Sequence, residues 1–330
     1  MELIRVSAGS ASLLGLKSIQ MLDKPTTIHL LQYSPDGCKA NCGFCPQARD
    51  SITDKKMLSR VSWPAYEWED VKKRLHSAYE KKLFRRICLQ TVIYPYFVED
   101  MLQVLKEITI VQDIPISVAI TPVSTEILEK MKDAGVDRVG IALDGPTKEI
   151  FSNVKGKGAK GPFNWEGHWK ALLRALEVFG KGLVSTHLIV GLGETERDIL
   201  KIIQKLHDLS ITVGLFAFTP IKNTALARRE KPEVEHFRRI QLGRFLIING
   251  MKKHDDFTFD DTSGRLVNWG MSDADAISII RDKKGKMFQT SGCPGCNRPY
   301  YTSSPRGPVY NFASVLTPEQ IQDAISVLFP

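Results

Sequence analysis

The stretch GCKANCGFCPQ, residues 37–47, sets three thiols, Cys38, Cys42 and Cys45, within eight positions. Thiolates on a short loop are soft ligands suited to zinc or to an iron–sulfur cluster. A structural zinc takes four protein ligands and a disulfide framework an even number of cysteines, yet no fourth partner follows nearby except Asp50. A cubane held by three cysteines keeps one iron free for a ligand that is not protein. The remaining cysteines, Cys88, Cys293 and Cys296, are remote in sequence.

Composition sets the setting for this chemistry. The chain has 330 residues, 43% hydrophobic and 25% charged, as expected of a globular protein. No apolar run approaches the ~20 residues of a membrane span, so a cytoplasmic protein without membrane association is expected. A reducing compartment makes the cysteines a metal or redox question. The formal net charge of +8 gathers at KGKGAKG (155–161), at Lys222 to Arg244 with Arg228, Arg229, Arg238 and Arg239, and at DKKGK (282–286). Such a field suits an acidic partner, though solvated helix faces give the same pattern. No recognition helix or aromatic-basic ladder accompanies it, which argues against nucleic acid.

The elements that must position the thiols follow from periodicity. Strand-like runs at 26–33, 85–92, 114–120, 137–144, 183–191 and 211–218 alternate with segments of helical period at 66–82, 97–109, 124–135, 164–181 and 194–210. This order predicts an α/β fold, a partial (β/α)6 TIM-type barrel of parallel strands with chemistry at the strand C-terminal ends. Within the strands, Ile87, Leu89, Val118, Val139, Ile141, Val184 and Leu188 alternate with Cys88, Gln90, Ser117, Ala119, Gly140, Ser185 and His187. One face is bulky and the other small or polar, so the lumen is expected to be partly empty, with room for ligands. The expected organisation is an N-terminal extension (1–25), the barrel (26–260) and a C-terminal extension (261–330) with a CxxC motif and a helix begun at Thr317 or Pro318, expected to cap the barrel.

Cys-x3-Cys-x2-Cys, with Phe44 before the last cysteine and the loop placed after the first strand, resembles the signature of the radical S-adenosylmethionine (SAM) superfamily. That resemblance implies an enzyme whose Cys38, Cys42 and Cys45 hold a 4Fe-4S cluster that binds SAM and generates a 5'-deoxyadenosyl radical. Asp144 resembles the ribose contact of the biotin synthase branch. LIVGLGET (188–195), with Ile189 and Gly191, resembles its adenine-binding element. LQTVIYP replaces the glycine-rich element after the second strand, which makes Gln90 and Thr91 candidate contacts to the SAM amino group. KGKGAKG lacks the Ser or Thr of a phosphate loop and reads as a mobile loop.

Cys88 falls where biotin synthase has a ligand of a second, sulfur-donating cluster, but Ser117 and Ser185 replace two other ligands of that family. The segment SGCPGCNRPYYTSSPRG offers Cys293 and Cys296, expected to fold over the barrel mouth and to join Cys88 around a second, auxiliary 4Fe-4S cluster. Ser303, Ser304 or Arg306 would be its fourth ligand, or an external sulfide. Together these features resemble the split, two-protein lipoyl synthases found largely in archaea. The resemblance implies sulfur insertion at C6 or C8 of an octanoyl chain on an acidic lipoyl-carrier protein, with a second synthase subunit and an electron donor such as ferredoxin. The alternative is another biotin-synthase-like enzyme, a biotin synthase or a cofactor maturase or mutase that donates no sulfur. His187 faces the same lumen and reads most simply as a packing residue.

Overall fold

The alternation of apolar runs with amphipathic segments builds one large sheet wrapped by helices. The computed structural model describes residues 2–109, 113–301, 303 and 307–330. In chain order its elements are β1 (Leu3–Val6), α1 (Ala8–Leu13), β2 (Thr27–Gln32), a hairpin of β3 (Met57–Leu58) and β4 (Val61–Ser62), β5 (Ala65–Glu67), α2 (Trp68–Glu80) and β6 (Arg86–Gln90). There follow α3 (Phe97–Thr109), β7 (Ile116–Ala119), α4 (Thr125–Asp133), β8 (Val136–Gly140), α5 (Lys148–Val154), α6 (Trp165–Phe179), β9 (Val184–Val190), α7 (Glu196–Asp208) and β10 (Thr212–Ala217). The chain ends with α8 (Val234–Ile248), a hairpin of β11 (Thr258–Phe259) and β12 (Leu266–Asn268), α9 (Asp273–Asp282) and α10 (Pro318–Leu328).

Strands β2, β6, β7, β8, β9 and β10 pair side by side and all parallel, as the β-α order requires. The sheet order is β10-β9-β8-β7-β6-β2-β1-β5, so β10 and β5 are its edges and, among the described residues, no pairing closes a ring. This is the partial TIM-type barrel expected. Residues 3–6 of the N-terminal stretch are part of it: β1 runs antiparallel to β2, with Ile4 opposite Gln32, and β5 runs antiparallel to β1.

The bulky strand faces point outward under the helices. Ile87, Leu89, Val118, Val139, Ile141, Val184 and Leu188 are all buried in one apolar core, each contributing roughly 1.5–3 kcal/mol through removal from water. Ser124, Asn164 and Thr195 cap α4, α6 and α7 by accepting backbone N–H bonds from the third helical residue. Thr317 caps α10 in the same way, with Pro318 at its first position and Gln320 completing the capping box. Contrary to the expected barrel cap, α10 packs outside the sheet against α8 and α9. Among the described residues no helix is long and apolar enough to cross a membrane.

The basic stretch 222–244 divides in two. Lys222, Arg228 and Arg229 are exposed, whereas Arg238 and Arg239 are buried. Arg238 donates to Gln241 Oε1 and the carbonyls of Val309 and Tyr310, and Arg239 pairs with Glu196 and Glu235. Part of the positive charge counted in the sequence is therefore internal wiring that anchors α8.

Candidate functional site

The small and polar strand faces enclose a cavity of about 200 Å³. Cys88, Gln90, Ser117, Ala119, Ser185 and His187 line it, as the alternation predicted. Toward the strand C-terminal ends its wall includes Phe44, Cys45, Asp144, Ile189 and Thr219. Toward the N-terminal ends lie Thr27, His29, Arg86 and Cys88, with Cys293, Cys296 and Arg298 brought in from the far end of the chain. The Thr219 hydroxyl oxygen is buried on this wall without a hydrogen-bond partner, which marks space for a polar ligand group.

The first cysteine loop leaves the end of β2 and is folded by its own backbone. Cys38 N donates to Gln47 O (2.7 Å) and Cys45 N to Cys42 O (2.9 Å). Gly37 holds the left-handed conformation (φ 77°) that starts the loop, where a Cβ would stand 2.7 Å from Gln47 O. Lys55 Nζ donates to the carbonyls of Pro46, Ala48 and Ser51. Cys38 Sγ accepts N–H bonds from Ala40 (3.4 Å) and Ile93 (3.2 Å), the contacts that stabilise a ligating sulfur. Burial pushes the Cys42 thiol up to about 12, opposed by Lys155, and burial raises Cys38 and Cys45 as well. A bare loop thus holds thiols; thiolates here call for added positive charge, which cluster iron provides. Among the described residues no three His, Cys, Asp or Glu side chains gather as one metal ion needs, whereas a cubane spreads its thiolates over separate irons.

Asp144 follows β8 in the left-handed region (φ 63°), bridged to Leu188 and buried. Its Oδ2 accepts from Lys155 Nζ at 2.8 Å, and the same ammonium donates to Ala142 O at 2.7 Å. Burial works against the Lys155 charge, but Asp144 and the nearby Cys42 outweigh it and raise its pKa. This corrects the reading of 155–161 as a mobile loop. Lys155 is 5% exposed, and the cysteine loop is clasped by the end of α5, through Gly43 N to Val154 O, and by the segment itself, through Asn41 Nδ2 to Ala159 O.

Gln90 and Ile189 line the cavity, whereas Thr91 does not, and its hydroxyl donates to Ala119 O. Gly191 also lies outside the lining. Its N–H and that of Leu192 donate to the two carboxylate oxygens of Glu194 (2.6 and 2.9 Å), so Glu194 shapes the turn. At Gly191 (φ 103°) a Cβ would come within 2.9 Å of Pro232, so this turn requires glycine.

Cys88, on β6, meets Cys293 and Cys296 on the cavity wall. Burial raises the Cys88 and Cys296 thiols, and Arg298 works in the opposite direction on both. Cys293 Sγ lies 3.8 Å from Ser117 Oγ, and Cys296 Sγ lies 3.8 Å from His29 Nε2. The CPGC segment does not fold over the mouth at the strand C-terminal ends. It enters at their N-terminal ends, along the side where the sheet fails to close. Ser291 Oγ accepts from Leu215 N on β10, while Asn297 bonds Thr26 and Lys24 just before β2. The reason is chain path: α8 and α9 return outside the barrel and deliver residue 290 beside the open β10 edge. Ser303 Oγ accepts from Tyr310 N and lies off this cavity's lining; Ser304 and Arg306 lie outside the described residues.

Sequence reasoning missed Lys155, Arg298, His29 and Glu194. His29 was within reach, since it alternates with Thr27 on the lumen face of β2. Arg298 carries its guanidinium 4.1 Å over the Phe216 ring and donates to Ser291 O. Only its place two residues after Cys296 signalled it. With burial, which acts first, it keeps His29 and His187 neutral, down at about 3 and about 4.

A parallel partial barrel with a three-thiol loop after its first parallel strand defines a class of radical-generating enzymes. The radical SAM superfamily model matches residues 33–206, more than half of the chain, and the chain belongs to that superfamily. It is accordingly an enzyme of a family that uses a 4Fe-4S cluster and SAM. No curated protein matches the chain by sequence. Among solved structures, methylornithine synthase (PylB) is similar at 14% identity and TM-score 0.51, over 73% of this chain and 65% of that one. HydG, a maturase of the FeFe-hydrogenase, is similar at 15% identity and TM-score 0.51, over 72% of this chain and 57% of the other. This chain thus spans less than two thirds of either structure's length, and the likeness at such identities is one of fold.

Proposed function

We propose that this enzyme inserts sulfur into an octanoyl chain attached to an acidic lipoyl-carrier protein, as one component of a two-protein lipoyl synthase. The observation that carries the reading is the single cavity that reaches Cys45 at one end and Cys88, Cys293 and Cys296 at the other. Cys38, Cys42 and Cys45 would hold the SAM-binding 4Fe-4S cluster, and Cys88, Cys293 and Cys296 an auxiliary one. When bound, these groups supply a carbon-centred radical from SAM and sulfide for transfer to the substrate.

The chain's own residues supply the place for these groups. Gln90 and Asp144 offer polar contacts for SAM at the strand C-terminal ends, with Phe44 and Ile189 as apolar walls beside them. Thr91 and Gly191 act from behind that wall, through the backbone turns they shape. Burial and Arg298 keep His29 and His187 uncharged, so neither adds a positive charge to the lumen. The exposed cations suit an acidic carrier and a small acidic electron donor such as ferredoxin.

One observation favours a second reading, a biotin-synthase-like maturase or mutase without sulfur donation. Asn297 and Thr26 hold the CPGC segment by hydrogen bonds that need no metal. Anaerobic incubation with SAM, reductant and an octanoylated carrier peptide, with and without the second subunit, separates the two. Intact-mass measurement is expected to show sulfur added to the peptide, and the Cys88, Cys293, Cys296 triple alanine variant is expected to add none while still cleaving SAM. Undiminished product from the triple variant overturns the sulfur-insertion reading.

A further inference from the structure

A second concavity, of about 430 Å³, lies beside the lumen between the N-terminal segment and the end of the CPGC segment. Ile19, Met21, Leu22, Pro25 and Val61 give it an apolar lining. Leu22 is 88% exposed at its rim, an exposure that water penalises and that an apolar ligand would relieve. His29 and Tyr301 line both this groove and the lumen, so these two side chains are the partition between them. The Tyr301 ring stands 5.2 Å from the His29 ring and edge-on to Trp63 at 6.0 Å. Ser59 Oγ donates to Tyr301 O, and the preceding residue is held as well: Arg60 donates to Tyr300 O, and Asp23 N donates to the Tyr300 hydroxyl oxygen. On the lumen side of the partition His29 Nε2 is 3.8 Å from Cys296 Sγ.

The opposite approach, at the strand C-terminal ends, is bound together by loops. Leu226 N donates to Gly43 O, Ser51 Oγ to Asn223 O and Thr53 Oγ1 to Lys222 O, which ties the cysteine loop to the segment after β10. A chain anchored on a carrier protein needs an apolar path from surface to lumen, and the groove offers its outer part, up to the partition of His29 and Tyr301. Exposed Lys17 and Lys24 flank its apolar residues in sequence and suit an acidic carrier surface.

We propose that this groove binds the aliphatic chain of the substrate, which passes Tyr301 and His29 and enters the lumen from the unclosed side of the barrel, on the side of Cys88, Cys293 and Cys296. The inference rests on the acyl-carrier reading above and adds the chain's route.

The test uses the reconstituted, full-length protein and two carrier peptides whose lysine bears an octanoyl-length chain with a diazirine at mid-chain or at its end, with an acetylated peptide as reference. Photolabelling followed by peptide mapping is expected to mark residues 19–25, Tyr300 or Tyr301, and the cysteine-bearing strand β6. The Met21→Glu/Leu22→Glu variant, altered at the groove's partly and fully exposed positions, is expected to weaken binding of the octanoyl peptide at least tenfold and leave the acetyl peptide unchanged. Labelling confined to residues 41–53 and 221–226, with octanoyl affinity intact in the variant, overturns the route and leaves the acyl substrate standing. Equal affinity of the wild-type protein for octanoyl and acetyl peptides overturns the acyl-carrier reading itself, and the route with it.

Discussion

Lys155 and Asp144 are the residues on which the geometry beside the first cysteine loop turns. Both are nearly inaccessible, and each is the other's charged partner. Removing one member of such a pair leaves a charge in the interior with nothing to balance it. Lys155→Met is therefore expected to destabilise the metal-free protein by about 3–5 kcal/mol. Lys155→Met/Asp144→Asn, which removes both charges, is expected to recover much of that loss. Urea unfolding of the two variants checks this, and equal losses in both would show that the ion pair is not the reason for the loss. The pairing spans eleven positions and crosses from a strand end into a glycine-lysine run. In sequence that run looks solvated, and Lys157 and Lys160 are exposed; only the path of α5, which turns Lys155 back under the strand, sets Lys155 apart from them.

At the level of elements, the CPGC segment is a strap across the open side of the sheet, and Asn297 is its main fastening. Asn297 Oδ1 accepts from Thr26 N (3.0 Å) and Thr26 Oγ1 (3.1 Å), and Nδ2 donates to Lys24 O (2.9 Å). Losing these bonds costs roughly 1–3 kcal/mol, locally. Asn297→Ala is expected to speed amide hydrogen exchange at 291–301 about tenfold or more while β7, β8 and β9 exchange as before; no change in the strap's exchange would mean that other contacts hold it. The six parallel strands and five of the helices between them were legible because each has a core face and so a period. Other elements were not, β1 and α8 among them. β1 is a four-residue strand between β2 and β5 whose antiparallel pairing with β2 depends on the barrel being incomplete. α8 has no polar face to give it a period, because Phe237, Ile240, Leu242 and Leu246 are buried together with Arg238, Arg239 and Gln241. The lumen residues were readable from strand alternation. The location of the strap was not, since it follows from how α8 and α9 return the chain.

For the whole molecule, the balance of buried titratable groups fixes a pH of greatest stability. His168, packed between Phe151 and Phe163, is held down at about 3 by burial and then by Lys155, and His187 at about 4 by burial and then by Arg298. Their folded-state pKa values are depressed, so the stability they contribute is present above the unfolded value of 6.5 and is lost as the pH falls below it. His236 has the opposite sign. Burial pulls its pKa down, but the hydrogen bonds and charges of Glu194 and Glu196 overcome this and lift it to about 9. Its contribution is complete below pH 6.5 and is lost as the pH rises toward 9. The metal-free protein is therefore expected to be most stable near pH 6.5, falling by roughly 2–3 kcal/mol at pH 8.5 and also falling toward pH 5. His236→Gln is expected to flatten the alkaline limb while leaving the acid limb in place. Denaturant titrations at three pH values measure both limbs. An alkaline limb that survives in the variant would assign that loss to other groups and detach the Glu194 turn, with the Gly191 and Leu192 amides it holds, from any dependence on the His236 charge.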